Sequence, residues 1–121
     1  MQADQPDGLV AAAAFSAAVA IVAGTFAAHV ATGKAVEWLQ TGEHVQLIHA
    51  VAVIALSGVR QRRFPARFML VGANLFASAL YLLAMGAPKW VAAAAPIGGA
   101  LMVISWLILA FKELRYRTEN N

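Results

Sequence analysis

Residues 9–30 read LVAAAAFSAAVAIVAGTFAAHV, a run of 22 residues that contains no Asp, Glu, Lys or Arg. An α-helix rises about 1.5 Å per residue, so this run is long enough to cross a hydrocarbon layer of about 30 Å. Apolar side chains would surround the helix on all sides, whereas a helix of a soluble bundle keeps one polar face. We therefore interpret residues 9–30 as a transmembrane helix.

The remaining sequence shows the same separation of charge from apolar residues. Of 121 residues, 61% are hydrophobic and 12% are charged. The charged residues are confined to positions 4–7, 34–43, 60–67, 89 and 112–119. The apolar stretches between them predict three further spans, at about residues 42–59, 68–85 and 91–111. We expect an all-α fold in which residues 1–121 form one integral membrane four-helix bundle.

The distribution of Lys and Arg predicts the orientation of the bundle. The link RQRRFPAR at residues 60–67 carries four Arg, and the segment after residue 111 carries three basic residues. The other two links carry only Lys34 and Lys89. Because cytoplasmic loops are enriched in Lys and Arg, we expect an up-down-up-down bundle with both ends in the cytoplasm. The net charge of +3 then reflects topology and not nucleic-acid binding.

Small residues mark the surfaces through which the helices are expected to pack. Ser16, Ala20, Gly24 and Ala28 follow each other at spacings of four in the first span. The fourth span contains PIGG at residues 96–99, where Pro96 fits a first helical turn and Gly98 and Gly99 permit the close approach of a neighbouring helix, which we favour, or of a bound molecule. Because hydrophobic burial does not drive helices together in lipid, such close contacts contribute much of the association energy.

Polar side chains form two stripes that we expect to face the bundle interior. Asn74, Ser78 and Tyr81 share one side of the third span, and Gln46 and His49 share one side of the second. In hydrocarbon each such group needs a partner within the protein. For Asn74 we favour a bond between helices over a role as a ligand.

The residues best suited to bind a ligand or to react are His29, Glu43, Gln46 and His49. We predict that they form a cluster in the outer half of the bundle. The favoured interpretation is a polar lock that joins the first two helices. The alternatives are a site for a polar or quinone-like headgroup, a proton relay, and a metal or haem site. The metal site has little support because there is one nearby carboxylate and no Cys, so we predict no metal and no cofactor.

Several motifs resemble a family of small bacterial and mitochondrial membrane proteins, catalogued as domain of unknown function 423. The first helix of that family ends with Gly-Ala-Phe-Gly-Ala-His, similar to residues 24–29 here, and its second helix carries Tyr-Gln-x-x-His-Ala, similar to residues 45–50. Its third carries Phe-Ser-Gly-Ser-Leu-Tyr, similar to residues 76–81, and its fourth carries the Pro-Ile-Gly-Gly found intact at residues 96–99. Ala or Val replaces several family glycines, and Val45 replaces the tyrosine. The resemblance implies a four-helix membrane protein with no established activity. Since the family is bacterial and mitochondrial, we expect a multi-pass protein of a bacterial inner membrane, with an organelle membrane as the alternative.

No nucleophile–base–acid arrangement, phosphate loop or metalloprotease spacing occurs in the sequence, so we expect no enzymatic activity. The first functional hypothesis is an accessory or structural subunit that packs on a larger membrane complex or on copies of itself through alanine-rich outer faces. The alternative is a binder or carrier of a small polar or amphipathic ligand between the first two helices. A homo-oligomeric channel ranks last because the polar groups are few.

Overall fold

The computed structural model describes residues 5–121, and the regular structure within them is helical. The four α-helices are α1 (Gly8–His29), α2 (Lys34–Ser57), α3 (Arg63–Ala84) and α4 (Ala94–Glu119). Short 3-10 helices, Arg60–Arg62 and Lys89–Ala93, precede α3 and α4. The predicted all-α four-helix fold is confirmed. Asp7 caps α1 by accepting hydrogen bonds from the backbone N–H groups of Leu9 and Val10. A carboxylate before a helix N-terminus is favourable, so the sequence predicts the same role for Asp4, which lies outside the described residues.

The second helix differs most from its predicted bounds, because it begins at Lys34 and not near residue 42. Residues 34–41 contain no Gly or Pro, and the apolar side chains among them extend the helix outward from the predicted span. Gly33 makes the turn before the helix with a φ of 63°, a conformation that favours glycine. The link between α1 and α2 is therefore only residues 30–33, which fixes how the two helices align.

Three of the helical segments are long and apolar enough to cross a membrane: Gly8–His29, Arg60–Ala84 and Lys89–Glu119. The second helix, α2, is long enough but more polar. It packs along α1, since Gly24 lies against Glu43 toward one end and Ala13 and Val53 share a core cluster toward the other. Because α2 runs beside α1 over this length, it occupies the same depth of the membrane.

Each helix packs antiparallel on the next one along the chain, so α1 lies on α2, α2 on α3 and α3 on α4, and α1 also touches α3. Short links enforce this order, because a four-residue connection cannot carry the chain back across the membrane. The up-down-up-down arrangement is thus confirmed, and both ends of the described chain lie at the same end of the bundle. Which side of the membrane this end faces stays a prediction from the basic residues.

Small residues form the packed face of α1, with a different spacing from the one expected. The buried positions alternate at spacings of three and four: Ala13, Ser16, Ala20, Ala23 and Ala27. A strict spacing of four rotates by about 40° at each step, because an α-helix has about 3.6 residues per turn. Ser16 and Ala20 therefore pack as predicted, Gly24 lies at the margin of the contact beside the Glu43 side chain, and Ala28 is exposed.

The crossing of α3 and α4 depends on two glycines. A methyl group at Gly72 would lie 2.7 Å from the carbonyl oxygen of Gly98, and one at Gly98 would lie 2.6 Å from the backbone nitrogen of Phe76. Gly98 thus serves the close approach that was predicted for it. Gly99 faces open space and Pro96 is exposed in the first turn of α4, so neither makes this contact. The expectation of helix contact at these two positions is wrong, because Gly99 points about 100° away from Gly98 around the helix and Pro96, two residues before Gly98, points to nearly the opposite side.

Ion pairs join the helix ends where the basic link and the C-terminal segment meet, which we call the basic end. Arg63 donates to both carboxylate oxygens of Asp7, at 2.8 and 3.0 Å, and to the backbone oxygen of Ser57 at 2.9 Å. This guanidinium therefore connects the start of α1, the end of α2 and the start of α3, and it holds the pKa of Asp7 well below its usual range. A second pair, Arg62 with Glu113 at 2.7 Å, connects the link to α4.

Replacing Gly72 by Ala is expected to destabilise the fold by about 1–3 kcal/mol, because the added methyl group meets backbone atoms that cannot move without separating α3 from α4. The matched control is Gly99→Ala, which adds the same methyl group to α4 where nothing lies within 4 Å. Unfolding by denaturing detergent in mixed micelles measures both. Equal stability of the two variants would contradict the glycine-dependent crossing.

The absence of Cys from the chain makes the orientation directly testable. We expect Thr32→Cys, in the α1–α2 link, to react with a membrane-impermeant maleimide added to spheroplasts. Gln61→Cys, in the basic link, is expected to react only after the membrane is permeabilised. The reverse labelling pattern would show that the basic end faces away from the cytoplasm.

Candidate functional site

Four polar side chains from three helices bond to one another in the bundle interior, and we call them the polar network: Ser16, Gln46, Asn74 and Tyr81. The Ser16 hydroxyl donates to Asn74 Oδ1 at 2.6 Å, and the Tyr81 hydroxyl donates to Gln46 Oε1 at 2.6 Å. Gln46 Nε2 donates to Ser16 Oγ and to Asn74 Oδ1, each at 3.1 Å. The network therefore connects α1, α2 and α3 through side chains alone.

Gln46 is the centre of the network and is only 5% exposed. Its amide nitrogen has two protons for its two acceptors, and its amide oxygen accepts from the Tyr81 hydroxyl. Ser16, which is 3% exposed, both donates and accepts. Within residues 5–121, every fully buried side-chain nitrogen or oxygen has a hydrogen-bond partner. The interior polarity of the described chain is therefore satisfied by the protein itself.

The network lies deeper than the sequence interpretation placed it. Ser16, Gln46 and Asn74 are each near the middle of a helix of 22 to 24 residues, so they come together close to the centre of the bundle and not in its outer half. An unsatisfied polar group costs most at this depth, because water is absent from the hydrocarbon core. At this depth the mutual bonding of the three side chains therefore stabilises the bundle.

A glycine makes room for the outermost member of the network. The Tyr81 ring lies over Gly42, where a methyl group would be 2.7 Å from Cε1 of the ring. Gly42 precedes Gln46 by one helical turn, so the ring covers the backbone of α2 while its hydroxyl reaches the Gln46 amide. Any larger residue at position 42 would push the ring away and lengthen that bond.

His49 follows Gln46 on α2 but belongs to a separate contact with α4. Its Nδ1 is 2.7 Å from the backbone oxygen of Val45, and its Nε2 accepts a hydrogen bond from the indole N–H of Trp106 at 3.1 Å. A carbonyl oxygen only accepts and an indole N–H only donates, so these partners assign the neutral tautomer with the proton on Nδ1. Both ring nitrogens are thereby engaged, and the contact ties α4 to α2.

The structure does not bring His29 into this region. His29 is exposed at the end of α1, about 20 Å along the helix from Ser16, which is the residue of α1 that Gln46 contacts. The predicted convergence of His29 with Gln46 and His49 is therefore wrong. The cause is the early start of α2 at Lys34, which moves Gln46 and His49 about two turns deeper relative to α1 than a start near residue 42 implies.

The other predicted site residues divide between the interior and the surface. Glu43 is half-buried and its side chain packs on Gly24 of α1, near the network but not bonded to it. Ser78 is exposed, so its expected interior position is wrong. It lies about 40° from Asn74 around α3, on the side of exposed Val71 and Leu82. His44 is also exposed.

No group of three His, Asp or Glu side chains within the described residues is arranged to hold a metal ion. Both nitrogens of His49 already have partners, and His29 lies elsewhere. Binding of a haem or metal by His49 would therefore require the loss of either the Trp106 bond or the backbone bond.

Sequence reasoning treated Ser16 only as a small packing residue, and it passed over Gly42, Gly72 and Trp106 as contact residues. A signal for Ser16 was present, because it is the single polar residue between Leu9 and Gly24. Gly42 had a weaker signal as the glycine one turn before Gln46. No local pattern pairs Trp106 with His49, since that contact depends on how α4 is placed against α2.

These features define the class of the protein as a small multi-pass helical membrane protein whose interior polar groups are bonded to one another. A family model described as "Protein of unknown function (DUF423)" matches residues 23–99. The chain belongs to this family, as its resemblance in four motifs implied, and the match includes Gln46, Asn74 and Tyr81 of the polar network.

Several bacterial proteins are similar over most of their length. A "UPF0382 membrane protein" of Haemophilus influenzae is 35% identical over 114 residues, covering 87% of this chain and 92% of the relative. The "UPF0382 inner membrane protein YgdD" of Escherichia coli K12 is 32% identical, with 87% and 88% covered. The "UPF0382 membrane protein YwdK" of Bacillus subtilis is also 32% identical, with 85% and 93% covered. No solved structure matches the chain. The predicted residence in a bacterial inner membrane agrees with these names.

Replacing Gln46 by Met is expected to destabilise the bundle by about 2–4 kcal/mol. Met fills a similar volume but leaves the Tyr81 hydroxyl without its acceptor and removes the amide that donates to Ser16 Oγ and Asn74 Oδ1. Each bond between membrane helices contributes about 0.6–1.7 kcal/mol. The control Ser78→Ala removes an exposed hydroxyl from α3 and is expected to change stability by less than about 0.5 kcal/mol. Unfolding in mixed micelles measures both, and a Gln46→Met variant as stable as Ser78→Ala would contradict a structural role for the network.

Proposed function

We propose that the chain is a non-enzymatic accessory protein that packs against a larger membrane protein through its outer helix faces. The observation that carries this proposal is the mutual bonding of Ser16, Gln46, Asn74 and Tyr81. Side chains that already bond to one another leave few free donors or acceptors for a substrate, and the network contains no carboxylate, imidazole or ammonium group that would carry a proton. The outer surface of the bundle is therefore the part of the protein that is available to bind a partner.

The surface of α1 opposite its packed face supports docking of another helix. A stripe at spacings of three and four there carries mostly small residues, and we call it the small face: Ala11, Ala14, Ala18, Thr25 and Ala28, with Ile21 between them. All of these residues are exposed. Small side chains let helix backbones approach closely in lipid, which is how membrane helices gain contact energy. The neighbouring stripe carries the bulkier Phe15, Val22 and Phe26 and is better suited to lipid chains.

The same geometry weighs against the ligand-binding alternative between α1 and α2. The buried face that α1 presents to α2 consists of Ala and Ser side chains, and its Ser16 already bonds to Gln46. Two open grooves, of about 510 and 260 Å³, lie at the basic end and not beside Gln46. A ligand at the network would have to replace bonds of 2.6 Å that the protein makes to itself.

The test is site-specific crosslinking in native membranes. A photo-crosslinking amino acid at position 18, on the small face, is expected to give a reproducible adduct with a different membrane protein. The Ala18→Leu variant, with the crosslinker moved to position 14, is expected to lose that adduct because the bulkier side chain separates the two helices.

The matched control is Ala12→Leu, which makes the same enlargement on the exposed side of α1 away from the small face. It is expected to retain the adduct. If adducts form only between copies of this chain, the small face mediates self-association and the proposed docking on another protein is wrong. Crosslinks to lipid alone would also overturn the proposal.

A further inference from the structure

An open groove at the basic end lies between the link 60–62 and the C-terminal part of α4. Its volume is about 510 Å³, and Gln61, Arg62, Lys112, Glu113, Arg115 and Tyr116 contribute to its walls. The apolar part of α4 ends at Phe111, so the groove begins where the helix leaves the hydrocarbon layer. This is the depth of lipid phosphate groups.

The charges around the groove favour an anion. Seven Lys and Arg side chains lie at this end within residues 5–121, in the segments 60–67 and 112–117, against the carboxylates of Asp7, Glu113 and Glu119. Two ion pairs are close, Arg63 with Asp7 at 2.8 Å and Arg62 with Glu113 at 2.7 Å. The third, Arg115 with Glu119, is 3.8 Å long and highly exposed, so it leaves the Arg115 guanidinium accessible. The groove wall itself carries the three cations Arg62, Lys112 and Arg115 against the two carboxylates Glu113 and Glu119, which leaves an excess of one positive charge at the groove.

Lys112 has the geometry of an anion donor held in place. Its Nζ donates to the backbone oxygen of Gln61 at 3.1 Å and lies 5.7 Å above the centre of the Phe64 ring. Neither partner carries a charge, so the ammonium remains uncompensated, and of its three protons at least one is free for a ligand. The backbone bond and the ring fix the long side chain before any ligand arrives, which lowers the entropy cost of binding.

The surface below Lys112 is apolar and aromatic. Phe64 packs on Phe68 with the ring centres 4.8 Å apart, and both side chains are exposed. Because α3 runs from the basic end into the membrane, this pair extends from the level of Lys112 toward the hydrocarbon core. A cation above an exposed apolar surface matches a phosphate that carries acyl chains better than it matches a free phosphate ion.

We propose that this groove binds the phosphodiester headgroup of an anionic phospholipid, with Lys112 and Arg115 as the donors to its phosphate and with Phe64 and Phe68 in contact with its acyl chains. Binding is electrostatic and hydrogen-bonded, with no covalent step. It is independent of the proposed docking of another protein on α1, since the two surfaces are formed by different helices.

The test titrates the full chain, purified in mild detergent, with phosphatidylglycerol and with phosphatidylcholine of the same chain length. Bound lipids are counted by native mass spectrometry. Phosphatidylglycerol is expected to bind more tightly, and Lys112→Gln and Arg115→Gln are each expected to weaken it about fivefold, the usual contribution of one basic side chain near an anionic surface. Lys112→Arg, which keeps the charge, is expected to bind like the unchanged chain.

Two controls make the result specific. Arg117→Gln removes a charge from the same helix end but not from the groove wall, and it is expected to leave lipid binding unchanged. Inorganic phosphate at millimolar concentration is expected not to compete. If Arg117→Gln weakens lipid binding as much as the groove variants do, binding depends on the overall charge of this end and not on the groove. If inorganic phosphate competes, the site binds a free anion and not specifically a lipid. Either outcome overturns the proposal, as would equal affinity for the two lipids.

Discussion

A side-chain amide at the centre of a membrane has no water to bond, and the arrangement of this bundle depends on how the Gln46 amide is satisfied. It bonds to α1 through Ser16 and to α3 through Asn74 and Tyr81. Three helices must therefore hold one relative depth and rotation for these bonds to form. Hydrophobic burial cannot supply that specificity in lipid, because the acyl chains are as apolar as the helix surfaces.

Close packing by small residues makes the polar bonds geometrically possible. Alanines on α1 bring its backbone near α2, and Gly42 lets the Tyr81 ring lie on the backbone of α2. The pair of Gly72 and Gly98 does the same for α3 and α4, where the network does not reach. One further hydrogen bond, from the Trp106 indole N–H to His49 Nε2, connects α4 to α2. Small residues therefore bring the helices close enough together for the interhelical hydrogen bonds to form, and both contribute to stability in lipid.

The sequence predicts the number of helices, their order and the grouping of the basic residues at one end, because charge is excluded from hydrocarbon wherever it occurs. It also predicts that Gln46, Asn74 and Tyr81 face inward. The failure at His29 comes from a helix boundary: residues 34–41 were interpreted as part of the link before the second span, although they belong to α2. The prediction for Ser78 is wrong because the sequence does not show how α3 is rotated about its axis. Asn74, Ser78 and Tyr81 lie on one stripe, but the neighbouring helices cover only one side of that stripe. Contacts such as His49 with Trp106 depend on helix placement, which no local pattern contains.

The central claim is that the four polar side chains of the network act as one structural unit. A double-mutant cycle with Gln46→Met and Asn74→Leu, read out as unfolding free energy in mixed micelles, tests it most directly. The double variant is expected to lose less stability than the sum of the two single variants, by at least about 0.6 kcal/mol, since both single changes break the same interhelical bond. Strict additivity of the two losses would contradict it and show that Gln46 and Asn74 act separately.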